Sequence, residues 1–144
     1  MPRPEVFLSH ASRDRKFVER IAETLDSQHI RYFYSTRHIQ GAQQWHDELG
    51  EALDRCNWLV VVLTPSAVRS EWVKRELLFA LRAKQYRNHI VPVLKSCAIK
   101  KLSWTLPGFQ HVDFRRSSKA GERALLAALR VGRRASRGKR STPS

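Results

Sequence analysis

Short apolar runs alternate with longer amphipathic stretches along the whole chain. Val6-Phe7-Leu8 is closed by the polar Ser9-His10-Ala11-Ser12, the pattern of a buried strand that ends in a loop. Phe17, Ile21, Ala22 and Leu25 then recur at helical spacing, with Ser12 as the expected N-cap and Gln28-His29 as the end. Ile30–Tyr34 is rich in β-forming residues and predicts a second strand, followed by a loop over Ser35–Gly41. Trp45, Leu49, Ala52, Leu53 and Cys56 mark a second helix, which Asn57 is placed to close. Trp58–Leu63 is apolar without alternation, as suits a central parallel strand covered on both faces. Thr64-Pro65-Ser66 breaks that run, and Thr64–Arg69 reads as a loop. Ser70 caps the next helix, whose Val73, Leu77, Ala80 and Leu81 are expected to face a core. Ile90–Leu94 is a fourth strand, and Pro92, which cannot donate to a ladder, puts it near an edge or at a bulge. Gln110–Phe114 predicts a short fifth strand, and Gly121-Glu122 opens a last helix with Leu125, Leu126 and Leu129 inward.

Five strands alternating with helices predict an α/β domain with a five-stranded parallel sheet and helices on both faces. In such folds ligands bind beyond the carboxyl ends of the strands. Ser9–Ser12, Ser35–Gly41 and Thr64–Arg69 all fall at that end, as does the first turn of the Ser70 helix. On that helix Trp72 and Glu76 are four residues apart and so share a face. One reading of the pair is an indole half in the core and a glutamate in solvent, paired with Lys74 or Arg75. The other is an aromatic ring and a carboxylate presented together to the ligand crevice.

Composition narrows the function classes. The chain carries 27 Lys and Arg against 13 Asp and Glu, a net charge of +14. The excess gathers near the C-terminus, where Arg130, Arg133, Arg134, Arg137, Lys139 and Arg140 are countered over residues 115–144 by Glu122 alone. We read residues 1–131 as the folded domain and 132–144 as a basic, disordered tail, or at best a fraying helix end, that raises non-specific affinity for polyanions. Zinc-finger spacing and an aromatic RNA-binding signature are absent, so no specific nucleic-acid partner is expected. Cys56 and Cys97 make neither a disulfide framework nor a metal-ligand spacing. No apolar run is long enough to span a bilayer and no secretory signal is visible, so a cytoplasmic location is expected. G-x-G-x-x-G and G-x-x-x-x-G-K-[ST] are also missing, which argues against a dehydrogenase-type or P-loop nucleotide site.

The segment Val6–Asp14, with Phe7-Leu8-Ser9-His10 at its centre, resembles the opening box of the Toll/interleukin-1 receptor (TIR) domain family in its bacterial form. Tyr32-Phe33-Tyr34, the loop to Gly41 and Trp45 are similar to the family's second strand, BB loop and following helix. Leu59–Pro65, Ile90-Val91-Pro92-Val93 and His111-Val112-Asp113-Phe114 resemble its third, fourth and fifth strands. Trp72 with Glu76 matches the W-x-x-x-E of the enzymatically active branch. The likeness runs in order over roughly residues 4–131.

The resemblance implies a flavodoxin-like fold and cleavage of the nicotinamide–ribose bond of NAD+, a substrate here rather than a cofactor. It implies Glu76 as the catalytic carboxylate. Trp72 is expected to line the site, with Ser9, His10, Tyr34, Arg37, Gly41 and Trp45 as further substrate-binding positions. It also implies self-association through the BB loop, Ser35–Gly41. An anti-phage role is expected, with a separately encoded effector reading the nucleotide product; depletion of host NAD+ by a virulence factor is the rival setting. The alternative from another class is a non-enzymatic adaptor that associates with other TIR domains through Arg37, His38 and Ile39.

Overall fold

The structure, a computed structural model, describes residues 3–34, 42–96 and 108–141; side chains of 42–48 and 130–141 lie outside the description. Five parallel strands form one sheet in the order β2-β1-β3-β4-β5, with β1 Glu5–Ser9, β2 Arg31–Tyr34, β3 Trp58–Leu63, β4 Ile90–Leu94 and β5 Val112–Asp113. The helices are α1 Arg15–Ser27, α2 Ala42–Arg55, α3 Pro65–Arg69, α4 Glu71–Arg82 and α5 Ser118–Ser141.

Period-two alternation in the strands sorts the core into two layers. Val6, Leu8, Val60, Val62, Val91 and Val93 face α1 and α5, where they meet Val18, Ile21, Leu25, Leu125 and Leu129. Phe7, Leu59, Val61, Leu63, Ile90 and Leu94 face the other way, against Leu49, Leu53, Val73, Leu77 and Ala80 of α2 and α4. The unbroken apolar run of β3 is thus two interleaved inner faces.

Local signals end the elements where they do. The α1 terminus is a Schellman turn: Ile30 N–H donates to the Leu25 carbonyl (2.9 Å), His29 N–H donates to that of Asp26 (3.0 Å), and His29 takes φ 57°. The start of α1 differs from the expected Ser12 cap. Ser12–Asp14 forms a 3-10 turn and Asp14 is the N-cap residue, with its carboxylate turned to other partners. Asn57 does not close α2 either. Its Oδ1 accepts from Glu5 N–H at 2.8 Å and its own N–H donates to the Glu5 carbonyl, so it fastens the start of β1.

Thr64–Arg69 is not a loop but α3. Thr64 Oγ1 accepts from Ala67 N–H at 3.1 Å and Pro65 stands in the first turn, a start signal compressed into five residues. Leu81 is another correction: it is exposed, because i+8 has rotated ~80° away from Val73, and Glu76 takes the inward place instead.

Pro92 is accommodated without a bulge. His89 carbonyl and Lys95 N–H both bond to β3, so odd positions of β4 point to β3 and Pro92 points to the β5 side. There the ladder begins only at Val93, and no donor is missed. The fifth strand keeps two of the five expected residues. Helix α5 starts at Ser118, three residues before Gly121, and its backbone stays helical to Ser141, across residues where composition favoured disorder. Arg, Lys and Ala are good helix formers, and a helix end is one of the two readings that stretch allowed.

Candidate active site

The chain leaves β1 for β2 on one side and returns past it to β3 on the other. That reversal is the switch point at which sheets of this kind bind ligands, beyond the carboxyl ends of β1 and β3. Ser9 is the last residue of β1 and, by alternation with Leu8, points to the α2–α4 face. Helix α4 begins nearby, where Ser70 Oγ accepts from Val73 N–H at 3.2 Å. Its inward stripe reads Val73, Glu76, Leu77, Ala80, so a carboxylate occupies a core position. Ser9 Oγ donates to Glu76 Oε1 at 2.7 Å, with both residues closed off at 0% and 1% exposure. A buried carboxylate is costly unless hydrogen-bonded, and the Ser9 hydroxyl meets part of that need, which makes the pair the candidate site.

The basic neighbours on α4 are engaged elsewhere. Lys74 Nζ lies 4.0 Å from Glu71, and the Arg75 guanidinium lies 5.3 Å from the centre of the Trp72 ring. Trp72 is half-buried one turn before Glu76 and packs on the α2–α4 core layer. Ser9, Trp72 and Glu76 therefore belong to one side of the sheet.

His10 and Tyr34 belong to the other. His10 Nδ1 is 3.0 Å from the Leu8 carbonyl, which can only accept, so Nδ1 carries the proton. Burial, opposed by that hydrogen bond, lowers the His10 pKa below 6.5 and keeps the ring neutral. Its ring meets Tyr34 edge-on at 6.3 Å, and the Arg15 guanidinium sits 4.0 Å from the Tyr34 ring centre. Burial raises the Tyr34 phenol, against the opposing charge of Arg15. Adjacent residues at a strand end point apart, so the structure separates His10 from Ser9. Arg37, Gly41 and the loop Ser35–Gly41 lie outside the described residues. Trp45 is in α2, its side chain outside the description.

A polar cluster that the sequence did not reveal stands at the same edge. Asp14, 5% exposed, accepts from Thr64 Oγ1 at 2.6 Å and lies 3.8 Å from Lys95 Nζ. The three come from the turns after β1, β3 and β4. The Thr-Pro helix start was the one visible signal. The partnership itself spans 50 residues and leaves none.

Burial pushes the Cys56 thiol up to about 12, so it stays protonated and unreactive. Among the described residues no three His, Cys, Asp or Glu side chains gather as a metal site. None of the described helices is long and apolar enough to cross a membrane. A cleft of about 600 Å³ lies at the opposite, amino-terminal edge, where Glu5 pairs with Arg55 (3.3 Å) and Arg31 (3.8 Å) and Tyr32 donates to Asp26.

Comparison with known proteins accords with this fold. NAD(+) hydrolase TirS of Staphylococcus aureus (strain MSSA476) is 25% identical over 88 residues, 60% of this chain and 31% of that protein. The chain thus spans about a third of that relative. The crystal structure of the TIR domain of the Toll-related receptor TRR-2 from Hydra magnipapillata superposes with a TM-score of 0.69 at 19% identity, covering 87% of this chain and 97% of that one. The TIR domains of the activated Roq1 resistosome give 0.68 at 18%, covering 85% and 98%. A 2-deoxyribosyltransferase from Bacillus psychrosaccharolyticus gives 0.56 at 11%, covering 81% and 90%. The TIR domain family model matches residues 6–129, nearly the whole of the sheet and its helices, and the chain belongs to that family.

Proposed function

We propose that this domain cleaves the bond between nicotinamide and ribose in NAD+, releasing nicotinamide and ADP-ribose or a cyclic ADP-ribose-type product. The observation that carries the reading is Glu76, a carboxylate seated in the inward stripe of α4 and held by Ser9 at the carboxyl end of β1. The naming of one relative as an NAD(+) hydrolase supports it.

The chemistry asks for little more. Nicotinamide leaves as a neutral base from a cationic ring, so its departure needs no general acid. The ribose passes through an oxocarbenium-like state, as in glycoside cleavage. A fixed carboxylate stabilises that developing positive charge more than it stabilises the ground state. Ser9 orients the carboxylate, and the Trp72 indole supplies an apolar wall that excludes water on one side. Water adding to the anomeric carbon gives ADP-ribose; an acceptor on the same nucleotide gives the ring. Arg37, Gly41, Tyr34, His10 and Trp45 remain proposed substrate contacts. Association of copies through Ser35–Gly41, a cytoplasmic setting, and an effector responding to the product in anti-phage defence belong to the same proposal.

At 1% exposure Glu76 is covered, so a ribose reaches it only once that cover is displaced. The same burial favours the second reading, a scaffold that associates with other TIR domains and leaves NAD+ untouched. Incubating the protein with NAD+ over a range of protein concentrations, with products identified by mass, separates the two. We expect nicotinamide release that rises more steeply than protein concentration. Glu76→Gln keeps the shape and can still accept from Ser9, and it is expected to lower the rate at least ~100-fold. Intact NAD+ at every concentration, or full activity in E76Q, overturns the enzymatic reading.

A further inference from the structure

Among the described residues the large apolar side chains that remain exposed all lie on one helix: Leu78 at 51%, Phe79 at 37% and Leu81 at 37%. Leu78 and Leu81, three apart, are neighbours on the outer surface of α4. Arg75 and Arg82 lie on the opposite flank of Leu78 from Leu81, and beyond them Phe79 rests edge-on against the buried Tyr86 at 6.2 Å. An apolar ridge edged by arginine has the composition of an interface centre rather than of ordinary surface.

Charge specifies what can cover it. From 69 to 87 the exposed cations are Arg69, Lys74, Arg75, Arg82, Lys84 and Arg87, against Glu71 as the exposed acid, itself beside Lys74. A second copy of a chain of net charge +14 brings like charge to this face, including the basic pair Arg37-His38 of the Ser35–Gly41 loop. An acidic occupant is attracted, and the 12-residue helix offers the i, i+3, i+4 rows into which another helix packs. We propose that the outer face of α4 docks an acidic amphipathic helix of a partner protein. Leu78 and Leu81 form the ridge on which it packs, and Arg75 and Arg82 are the flanking charges. This surface is independent of NAD+ cleavage.

The test uses the full chain and a fluorescently labelled synthetic peptide of about 14 residues, ~21 Å as a helix. The peptide carries Leu at i, i+3, i+4 and i+7 and Glu elsewhere; the control is a scrambled peptide of the same composition. Anisotropy is expected to show saturable binding that weakens with salt, at least ~10-fold tighter than the scrambled control. Leu78→Asp and, separately, Arg82→Glu are each expected to weaken it ~10-fold or more, with unchanged circular dichroism. Equal affinity for both peptides, or unchanged binding in L78D, overturns the proposal. So does binding to phosphatidylserine vesicles without binding to the peptide, and so does self-association of the chain that L78D abolishes.

Discussion

Replacing Thr64 by valine keeps the shape of the side chain and removes one oxygen that does two jobs. Thr64 Oγ1 donates to the Asp14 carboxylate at 2.6 Å and accepts from Ala67 N–H at 3.1 Å. A hydrogen bond to a charged group contributes about 1.5–3 kcal/mol, and an N-cap about 1 kcal/mol. Asp14 retains Lys95 at 3.8 Å, which offsets part of the loss. Thr64→Val should therefore cost about 2.5–3.5 kcal/mol, a large share of a typical domain's ~5–15 kcal/mol. Thr64→Ser keeps both bonds and loses one buried methyl, about 0.8 kcal/mol. Urea denaturation followed by circular dichroism gives both values, provided the slope is unchanged and the shift is in the midpoint. A double-mutant cycle with Asp14→Ala should return a coupling of about 1–2 kcal/mol. Equal losses for T64V and T64S, or a coupling near zero, would refute the view that this oxygen ties the turn after β1 to the corner leading into α3.

Two substitutions should move stability against the usual rule for glycine. Gly121→Ala in α5 gains ~1 kcal/mol of helix propensity. Its new Cβ, however, would lie 2.5 Å from Cγ of Phe114, a ring held edge-on against Phe17, and overpacking of this kind costs about 1–3 kcal/mol. The melting temperature should fall by a few degrees; a rise would show that Phe114 yields freely. His29→Gly removes an exposed side chain from a residue at φ 57°. It should raise stability by about 0.5–1 kcal/mol in the same melt, because relief of the left-handed backbone outweighs what the imidazole contributes. The pH dependence follows from His10. Its folded pKa lies below 6.5, so the unfolded chain takes up the proton first, and stability falls as pH drops through 6.5 toward the folded pKa. Urea midpoints between pH 7.5 and 5 should decline more steeply for the native protein than for His10→Gln; parallel curves would remove His10 from the account.

Strand positions were legible because each strand is a short apolar run between polar turns. The all-parallel arrangement followed from β3, whose six residues are buried without alternation. The place of Glu76 was half legible. Its spacing from Trp72 set it near the crevice, but its seat between Val73 and Leu77 in the core stripe shows only once the rotation of α4 is fixed by packing. Periodicity reports which face of an element turns inward, not which residue waits there. Ser9 and Glu76 are 67 residues apart and Asp14 and Thr64 are 50 apart, and neither pair leaves a local trace. Leu81 and Ser12 were misplaced for a related reason. The stripe of α4 is one residue narrower than apolar spacing suggests, and a 3-10 turn stands between Ser12 and α1.

Among the described residues the sheet ends in a four-residue strand at one border and a two-residue strand at the other. Rows of backbone donors and acceptors that short are poor templates for a neighbour's strand. Copies of this domain that gather are therefore steered away from continuing one another's β-structure. They must meet through side chains on helices and connecting segments, contacts that can be made and undone without rethreading a hydrogen-bond ladder.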